Sequence, residues 1–584
     1  MTTVNADALE ALRDAWRHRW PDALALWSRF TRLSEPRWCL TSADAAREGL
    51  SESFAMIRLH DQAVVVSLLL IDHYGLHDYA LEVLGHEVGH HVLCPADLSD
   101  QGRMVARMRW ALPGKEHLAG FLANLYADLL INDRLQRSSG LRLSGIFEKL
   151  GGGSADPMWT LYMRMYEILW GLSRETLASG QVDSRMEGDA ALGARLVRAF
   201  GRRWLDGSGR FAALCFPYLV DDDGRGIREL LKVWRDAEAG AGGHVPHGLT
   251  EIEPGEREGA IHPAFDPDLS GVDDEAEDAE KSGEPVDAAA PVTGHGQFRE
   301  PFEYGAVLRA LGLKLSDHDV AVRYYRERAS AHLVPFPERD VPQSSEPLPE
   351  GLEPWDIGSP LESADWTESV LRSPVVIPGA TTVQRVWGTS EGSQPQRQPI
   401  DLDLYVDSSA SMPNPQHVVS YLALAGAIVA LSALRAGASV QATLWSGAGQ
   451  FETTDGFVRD ETAILRTLTG YIGGATAFPI HILRDTYRSR TAADRPVHIL
   501  VISDDGVTTM YDADEMGASG WDVAAMALER ARGGGTQVLN MAEPTEPAAI
   551  WMRAKAMGWS VNLVSTWEQL VDFARAFSRL SYAP

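Results

Sequence analysis

Two histidines and a glutamate stand at a spacing that suits metal chemistry in the segment Leu81–His91, which reads LEVLGHEVGHH. His86 and His90 are four residues apart, and Glu87 directly follows the first histidine. On a helix, residues four apart lie on one face, where both imidazoles can bind one Zn²⁺. Glu87 is then placed to take a proton from the metal-bound water as that water attacks a polarised carbonyl. The pattern predicts zinc-dependent hydrolysis of amide bonds.

The residues around this pattern favour a metal site over its alternative, a surface helix that carries two histidines by chance. Leu84, Val88 and Val92 give the segment an apolar flank. The apolar run Ala63–Ile71 precedes it and predicts a buried strand that can line a substrate cleft. These residue types indicate a helix packed into a core.

A third ligand is predicted on a later helix that reads NLYADLLIND. Its spacing places Asn124, Asp128 and Asn132 on one stripe among apolar neighbours. A carboxylate is costly to bury unless it pairs or binds metal, so Asp128 is the predicted third ligand. The alternative for Asp128 is a polar contact at the helix surface. Asp133 and Glu116 are substitutes for it as ligand.

Further polar groups lie near these ligands in the sequence. Asn124 and Asn132 are predicted to orient the ligands by hydrogen bonds. His91 is expected to pack or to face solvent. Three tyrosines are candidates to stabilise an oxyanion, and the sequence does not choose among them: Tyr126, Tyr162 and Tyr166.

A second cluster of oxygen-bearing side chains lies in the segment Tyr405–Met412, which reads YVDSSASM. Asp407, Ser409 and Ser411 alternate there in a predicted strand-to-loop turn. Carboxylate and hydroxyl oxygens suit a hard cation such as Mg²⁺, with Mn²⁺ or Ca²⁺ as alternatives. One coordination position can stay open for a partner's carboxylate, which makes such a site a binding device. The alternative is a Ser-rich turn that holds no metal.

This Asp-x-Ser-x-Ser turn is similar to the metal-ion-dependent adhesion site of von Willebrand A domains. Two further elements occur in the order that the family requires, the Gly-rich segment Gly473–Pro479 and the strand end Ile502–Gly506. The resemblance implies a site with five ligands: Asp407, Ser409, Ser411, Thr476 and Asp504. The family usually has one aspartate before the glycine and this chain has two, so Asp505 is an alternative to Asp504.

The elements that must position these residues differ between the two ends of the chain. Residues 1–236 have mostly helical spacing and predict one mostly helical domain, with helices at 8–30, 76–93, 116–136 and 157–172. Residues 398–584 alternate strands and helices and predict an α/β doubly wound sheet, with strands at 400–406, 439–445, 497–503, 536–540 and 560–564. The oxygen ligands lie at or beside the carboxyl ends of such strands, where α/β folds bind ligands.

The middle of the chain has a different composition. Residues 237–297 are rich in Gly, Pro, Asp and Glu and predict a disordered acidic linker. Residues 298–397 predict a connecting region that is first helical, over 302–328, and then Pro-rich and extended, over 333–397.

Charge and cysteine content limit the partners and the compartment. A formal net charge of −28 argues against nucleic acid and anionic membranes as partners. Cys39, Cys94 and Cys215 are too few and too widely separated for a disulfide framework, which indicates a reducing compartment. No signal peptide and no apolar run long enough to span a bilayer is apparent. A cytoplasmic location is therefore expected.

The segments Gly85–His91 and Tyr126–Asn132 together resemble the zincin-like metallopeptidase domain of bacterial proteins that also carry a von Willebrand A-like domain. The resemblance implies that the histidines and the downstream aspartate bind the metal and that the glutamate is the base, which gives His86, His90, Asp128 and Glu87. Leu348–Pro378 resembles the region that precedes the von Willebrand A-like domain in bacterial proteins associated with MoxR-type AAA+ ATPases.

These resemblances lead us to expect a bacterial zinc peptidase that acts on a protein substrate and binds a MoxR-type ATPase through the Mg²⁺ site, in protein remodelling or defence against phage. The chain has no Walker-type Gly-x-x-x-x-Gly-Lys-Ser/Thr loop, so ATP hydrolysis would belong to another subunit. The alternative is a non-catalytic adaptor for an AAA+ ATPase with a structural or vestigial zinc site. Glu87 favours catalysis, because a structural zinc site has no need of that carboxylate.

Overall fold

The chain divides into two compact units in a computed structural model. Unit 1 comprises Met1–Glu327 with Gln416–Val418, and unit 2 comprises Arg328–Pro415 with Val419–Pro584. The structure describes residues 6–50, 53–150, 156–220, 237–238, 245–270, 297–341, 345–391, 396–541 and 549–582. Among these residues, no helix combines the length and the apolar character needed to cross a bilayer.

Unit 1 is built mainly of helices, as the sequence predicted. They are α1 Ala6–Ala25, α2 Ser42–Glu48, α3 Leu68–His73, α4 Ala80–Val92, α5 Leu98–Trp110, α6 Ala119–Ser139, α7 Leu143–Leu150, α8 Pro157–Trp170, α9 Ser184–Ala199, α10 Trp204–Cys215, α11 Pro217–Val220, α12 Pro267–Ser270, α13 Pro301–Ala310 and α14 Asp317–Ser330. A small sheet in the order β1-β3-β2-β4 accompanies them, with strands β1 Arg37–Cys39, β2 Ala55–Arg58, β3 Ala63–Ser67 and β4 Ala237–Glu238. A two-stranded ladder joins β5 Glu251–Ile252 to β6 Gln297–Phe298.

The predicted strand Ala63–Ile71 was wrong in its second half. The strand ends at Ser67, and the remaining apolar residues begin α3. The Ser67 hydroxyl accepts a hydrogen bond from the amide of Leu70 at 3.4 Å and so caps the helix. A serine inside an apolar run therefore marks a change from strand to helix here.

The predicted linker 237–297 is also corrected over residues 245–270, which fold onto unit 1. Leu249 is buried against α5 at Gly102. The contact is close, since a Cβ at Gly102 would lie 2.5 Å from Leu249 Cδ1. Glu253 pairs with Arg107 of α5 at 2.8 Å, and Glu256 pairs with the buried Arg299. Residues 239–244 and 271–296 of the predicted linker lie outside the described residues.

The unit boundary differs from the predicted boundaries at 298 and 398. Helix α13 and most of α14 belong to unit 1, and the rest of the predicted connecting region belongs to unit 2. The charge-rich composition of 237–270 hid the few anchoring residues that join this stretch to the helical unit.

Unit 2 is built around a six-stranded sheet in the order β13-β12-β11-β14-β15-β16. Neighbouring strands are parallel except for β13, which runs antiparallel to β12. The strands of unit 2 are β7 Glu338–Val341, β8 Ser345–Pro354, β9 Val383–Glu391, β10 Gln396–Pro399, β11 Asp401–Asp407, β12 Val440–Trp445, β13 Phe451–Thr453, β14 Val497–Ser503, β15 Arg532–Asn540 and β16 Trp559–Val564. Its helices are α15 Trp366–Arg372, α16 Tyr421–Arg435, α17 Glu461–Leu468, α18 Ile480–Arg488, α19 Gly520–Ala531, α20 Ala549–Ala556 and α21 Gln569–Tyr582.

Helices cover both faces of this sheet. Leu404 and Val406 point to the face of α16, where Gly426 allows close packing. Tyr405 and Val501 point to the other face and join a core with side chains of α18, α19 and α20. Strands β11 and β14 are neighbours in the sheet although two strands separate them in the chain, so the connections diverge between them. In sheets of this kind, a crevice opens at the carboxyl ends of such a strand pair.

Candidate functional site

Close packing of α4 on α6 brings the predicted zinc ligands together. A Cβ at Gly89 would lie 2.5 Å from Ile131 Cγ2 of α6, and one at Gly85 would lie 2.8 Å from Leu26 Cδ1. The indole of Trp27 donates a hydrogen bond to the Gly85 carbonyl at 2.7 Å. The two glycines thus let the histidine helix lie nearer to its neighbours than any larger residue would allow.

His86, His90 and Asp128 form a compact cluster. The two Nε2 atoms are 3.2 Å apart, and Asp128 Oδ1 lies 3.7 Å from that of His86 and 3.5 Å from that of His90. Ligand bonds of 2.0 to 2.2 Å about a tetrahedral metal separate the ligand atoms by about 3.3 to 3.6 Å. The three donor atoms lie close to these separations and could hold one metal ion, and within the described residues they are the one group of three or more His, Cys, Asp or Glu side chains of this kind.

Hydrogen bonds fix the orientation of both imidazoles. His86 Nδ1 contacts Asn132 Oδ1 at 2.7 Å, and His90 Nδ1 contacts the carbonyl oxygen of Cys94 at 3.0 Å. Both oxygens accept hydrogen bonds, so each Nδ1 donates one and each ring faces the cluster with its Nε2 atom. The two Nε2 atoms and a carboxylate oxygen converge on one point, an arrangement that could hold a metal ion.

The predicted orienting asparagines contact the ligands. Asn132 also donates to the Tyr166 hydroxyl at 2.8 Å, and that hydroxyl lies 3.0 Å from the hydroxyl of Tyr162. Asn124 donates to Asp128 Oδ2 at 3.2 Å. Tyr126 instead packs on Phe211, and burial raises the pKa of its phenol far above the ordinary value.

The predicted alternatives to Asp128 lie elsewhere. Asp133 is one residue past the stripe and faces Arg137 at 3.6 Å, and burial raises the pKa of its carboxyl. Glu116 accepts the amide of Gly114 at 2.9 Å at the start of a short 3₁₀ turn. His91 contacts Gln62 Oε1 at 2.8 Å and stays outside the cluster.

A cavity of about 40 Å³ adjoins the cluster. Its polar lining includes Glu87, which is 2% exposed, and Glu82, which lies one helical turn before His86. Glu82 was not predicted from the sequence, although its position four residues before His86 places it on the same helix face. Its carboxylate accepts the amide of Arg142 at 3.2 Å. Phe147 of α7 forms an apolar wall and also lines a separate groove of about 530 Å³.

The predicted oxygen cluster of unit 2 begins at the end of β11. Asp407 accepts the Ser503 hydroxyl at 2.6 Å and the Ser409 amide at 2.8 Å, and the Ser409 and Ser411 hydroxyls are 3.2 Å apart. Burial raises the pKa of the Asp407 carboxyl, the bonds from Ser503 and Ser409 lower it, and the nearby Asp504 carboxylate raises it further. Two neighbouring carboxylates are stabilised by a cation between them.

A loop brings Thr476 to the same sheet edge. The Gly473 amide donates to the Ser408 carbonyl at 2.9 Å, and the Ala410 amide donates to the Gly474 carbonyl at 2.9 Å. A Cβ at Gly506 would lie 2.5 Å from Thr476 Cγ2 and 3.0 Å from Asp504 Oδ1. The threonine side chain therefore lies against the turn that follows β14.

The two aspartates before Gly506 differ in their surroundings. Asp504 is half-buried, accepts the Gly506 amide at 2.8 Å and lies near Asp407, whereas Asp505 is exposed. Of the two, Asp504 is thus the one on the side of the other oxygen donors, between the ends of β11 and β14.

Comparison with models of known protein families finds no match for this chain. None of the curated proteins compared with the sequence matches it either. What bears on function is therefore the geometry of these two sites.

Proposed function

We propose that this chain is a zinc-dependent peptidase whose second unit binds a protein partner through a Mg²⁺-dependent adhesion site. The observation that carries the first half is the cluster of His86, His90 and Asp128, in which both imidazoles are held with Nε2 toward the carboxylate. In this proposal unit 1 is a zincin-like domain and unit 2 a von Willebrand A-like domain.

Zinc bound there would supply Lewis-acid polarisation of a carbonyl and would lower the pKa of water at the site. Glu87 lines the same cavity as His86 and Asp128, so its carboxylate takes the proton from the attacking water and returns it to the leaving amine. Asn132 and the Cys94 carbonyl keep the imidazoles in the tautomer that binding requires.

The assignment of unit 2 is supported by its strand order and by the position of its oxygen donors. The order β13-β12-β11-β14-β15-β16 puts the ends of β11 and β14 side by side, and Asp407 and Asp504 are found there. Mg²⁺, Mn²⁺ or Ca²⁺ would be held by those carboxylates with the hydroxyls of Ser409, Ser411 and Thr476. We propose a MoxR-type AAA+ ATPase as the partner, in bacterial protein remodelling or phage defence.

A cytoplasmic location belongs to the same proposal. All three cysteines are free and buried, which fits a reducing compartment. With the formal net charge of −28, this leaves protein substrates and protein partners as the expected ligands.

One observation favours the alternative of a non-catalytic adaptor with a structural or vestigial zinc site. The cavity beside the cluster, about 40 Å³, has room for water but not for a peptide side chain of any size. A peptidase would have to widen it by moving the wall that Phe147 forms, whereas an adaptor would not.

The test of the peptidase is metal content and hydrolysis measured on the same preparations of the full chain. We expect His86→Ala and His90→Ala to lose zinc, and Glu87→Gln to keep zinc but lose cleavage of labelled casein and of candidate partners. Glu82→Gln is the matched control, because it alters another carboxylate of the same cavity. Equal zinc loss in all variants would refute the roles, and full zinc occupancy without cleavage by the wild type would favour the adaptor.

The adhesion site is tested by Mn²⁺ binding followed by paramagnetic resonance. Asp407→Ala and Asp504→Ala are expected to lose the bound ion, while the adjacent Asp505→Ala keeps it. Recovery of the ATPase from native lysate should fail with Asp407→Ala and with chelator. Recovery that ignores both changes would refute the metal-dependent contact.

A further inference from the structure

An ordered insertion separates the two strands of the β8–β9 hairpin in unit 2. It spans residues 355–382 and contains α15. Trp355 is buried, with its amide bonded to the Thr382 carbonyl at 2.9 Å and its indole to the Pro360 carbonyl at 3.1 Å. The buried Ser369 hydroxyl accepts the Val383 amide at 2.9 Å. These bonds hold the insertion against the hairpin.

The outer side of this insertion is apolar. Seven large apolar side chains are exposed within 21 consecutive residues, with Leu371 at 74% and Val370 at 53% exposure. They are Ile357, Leu361, Trp366, Val370, Leu371, Val375 and Ile377. Scattered exposed apolar residues are ordinary, but a concentration of this kind marks an interaction surface. We call these seven side chains the insertion surface.

Neighbouring parts of the insertion bring members of this set close together. Trp366 and Val370 are one turn apart on α15, so they share a helix face. A Cβ at Gly379 would lie 2.8 Å from Ile357 Cγ1, which places Ile357 beside the turn that carries Ile377. Thr381 closes that turn through hydrogen bonds to the Ile377 amide at 2.7 Å and the Val375 carbonyl at 2.9 Å.

Carboxylates border the insertion surface. Residues 348–388 contain six carboxylates and two arginines, a formal charge of −4. One arginine, Arg385, is already paired with Asp365 at 2.6 Å. Within the described residues no ion pair joins a cation to Glu350, Asp356 or Glu362, whereas Glu368 interacts electrostatically with Arg385. Glu362 and Glu368 both lie within the stretch 357–377 that carries the apolar residues.

We propose that the insertion surface docks a partner protein that presents apolar side chains bordered by lysine and arginine. The acidic border repels nucleic acid and anionic lipid, because both carry the same sign of charge. A second copy of this chain is also disfavoured, since a twofold contact would set the same carboxylates against each other. A basic border on the partner satisfies the charges while the apolar centre loses water.

This surface shares no residue with either candidate metal site and does not depend on the proposed function. It gives the chain a metal-independent contact, whose affinity falls with added salt and is indifferent to chelator. The adhesion site behaves in the opposite way toward chelator.

The test uses the full chain and a short amphipathic helical peptide with leucine and tryptophan on one face and lysine and arginine at its borders. Hydrogen exchange should slow in residues 357–377 when this peptide is added, and the version with glutamate borders should have no effect. The double variant Val370→Ser with Leu371→Ser should weaken binding about tenfold or more. Met552→Ser, which removes a side chain 54% exposed on α20, is the matched control and should bind normally.

A charge variant keeps the test independent of any change in folding. The double variant Glu362→Lys with Glu368→Lys leaves the apolar residues in place. It should weaken binding of the peptide with basic borders and strengthen binding of the peptide with glutamate borders. Unchanged exchange at β11 would show that each variant is folded. The proposal would be overturned if both peptides bound equally or if the serine variant bound as well as the wild type. Protection of residues 357–377 by anionic vesicles or by self-association would also overturn it.

Discussion

We expect Asp403 in the central strand β11 to make the stability of unit 2 depend on pH. Its carboxyl is fully buried, where it accepts hydrogen bonds from Tyr487 at 3.0 Å and Gln441 at 3.2 Å. Burial raises its pKa from 3.8 to about 7, against the opposing effect of these hydrogen bonds. The folded protein therefore keeps a proton that the unfolded chain releases at lower pH.

The sign of the effect follows from this order of proton release. Well below about pH 4 the carboxyl is neutral in both states, so it makes no contribution to the pH dependence there. As the pH rises toward 7, only the unfolded chain gains the free energy of ionisation, so the free energy of unfolding falls. With about 1.4 kcal/mol for each pKa unit, the loss between about pH 4.5 and 7.5 is about 3 kcal/mol. Above the folded pKa this contribution no longer changes.

Asp403→Asn should remove this dependence, because an amide of the same shape does not ionise. Hydrogen exchange of β11 amides reports the opening of this strand, and comparing variant with wild type at one pH cancels the chemical exchange rate. The ratio of wild-type to variant exchange should rise on the order of a hundredfold from about pH 4.5 to 7.5. Tyr487→Phe removes a bond that lowers the pKa, so its transition should move to higher pH. A ratio that is the same at both pH values would refute a neutral buried Asp403.

Three further predictions follow from other contacts. Asn132→Ala should weaken zinc binding about 10- to 100-fold, because it removes the hydrogen bond that orients the His86 imidazole. Competition with a zinc indicator measures the affinity, and an unchanged value would contradict the orienting role of Asn132. Gly89→Ala should destabilise unit 1 by about 1 to 3 kcal/mol, because its methyl group meets Ile131, and it should also lower zinc occupancy. Urea unfolding measures the first effect and metal analysis the second. Wild-type values in both would show that α4 can accept the added methyl group. Burial lowers the pKa of His498 from 6.5 to about 4, so its stabilising effect is complete above pH 6.5 and is lost as the pH falls toward 4, opposite in sign to the effect of Asp403. His498→Gln should remove this contribution of up to about 3 kcal/mol, so the ratio of wild-type to variant exchange in β14 should fall as the pH rises from about 4 to 6.5, and a constant ratio would exclude the effect.

The sheet of unit 2 could be predicted closely because its strands are buried on both faces. The predicted strand 400–406 is β11 Asp401–Asp407, and the predicted strand 497–503 is β14 with the same bounds. Short apolar runs between helical segments are a strong signal of such strands. The three-residue edge strand β13 was missed, since it is too short and too exposed to show a pattern.

Unit 1 shows where local patterns are insufficient. The helix spacing correctly placed His86 and His90 on one face, and the polar stripe of α6 identified Asp128 as their neighbour. The fold of residues 245–270 could not be predicted, because it depends on a few long-range contacts such as Arg107 with Glu253 within a composition typical of linkers. The close approach of α4 to α6 is likewise a tertiary property. The two glycines permit it, but their presence in the sequence does not predict it.

The two imidazoles of the candidate metal cluster are held by different kinds of group, and this affects what mutagenesis can detect. His86 depends on the side chain of Asn132, which a substitution can remove, whereas His90 depends on a main-chain carbonyl at Cys94. An alanine scan across the region would find the first support and miss the second, because every residue keeps its carbonyl. Only a change in loop length after α4, or replacement of an amide by an ester, would show how strongly the backbone carbonyl orients the His90 imidazole.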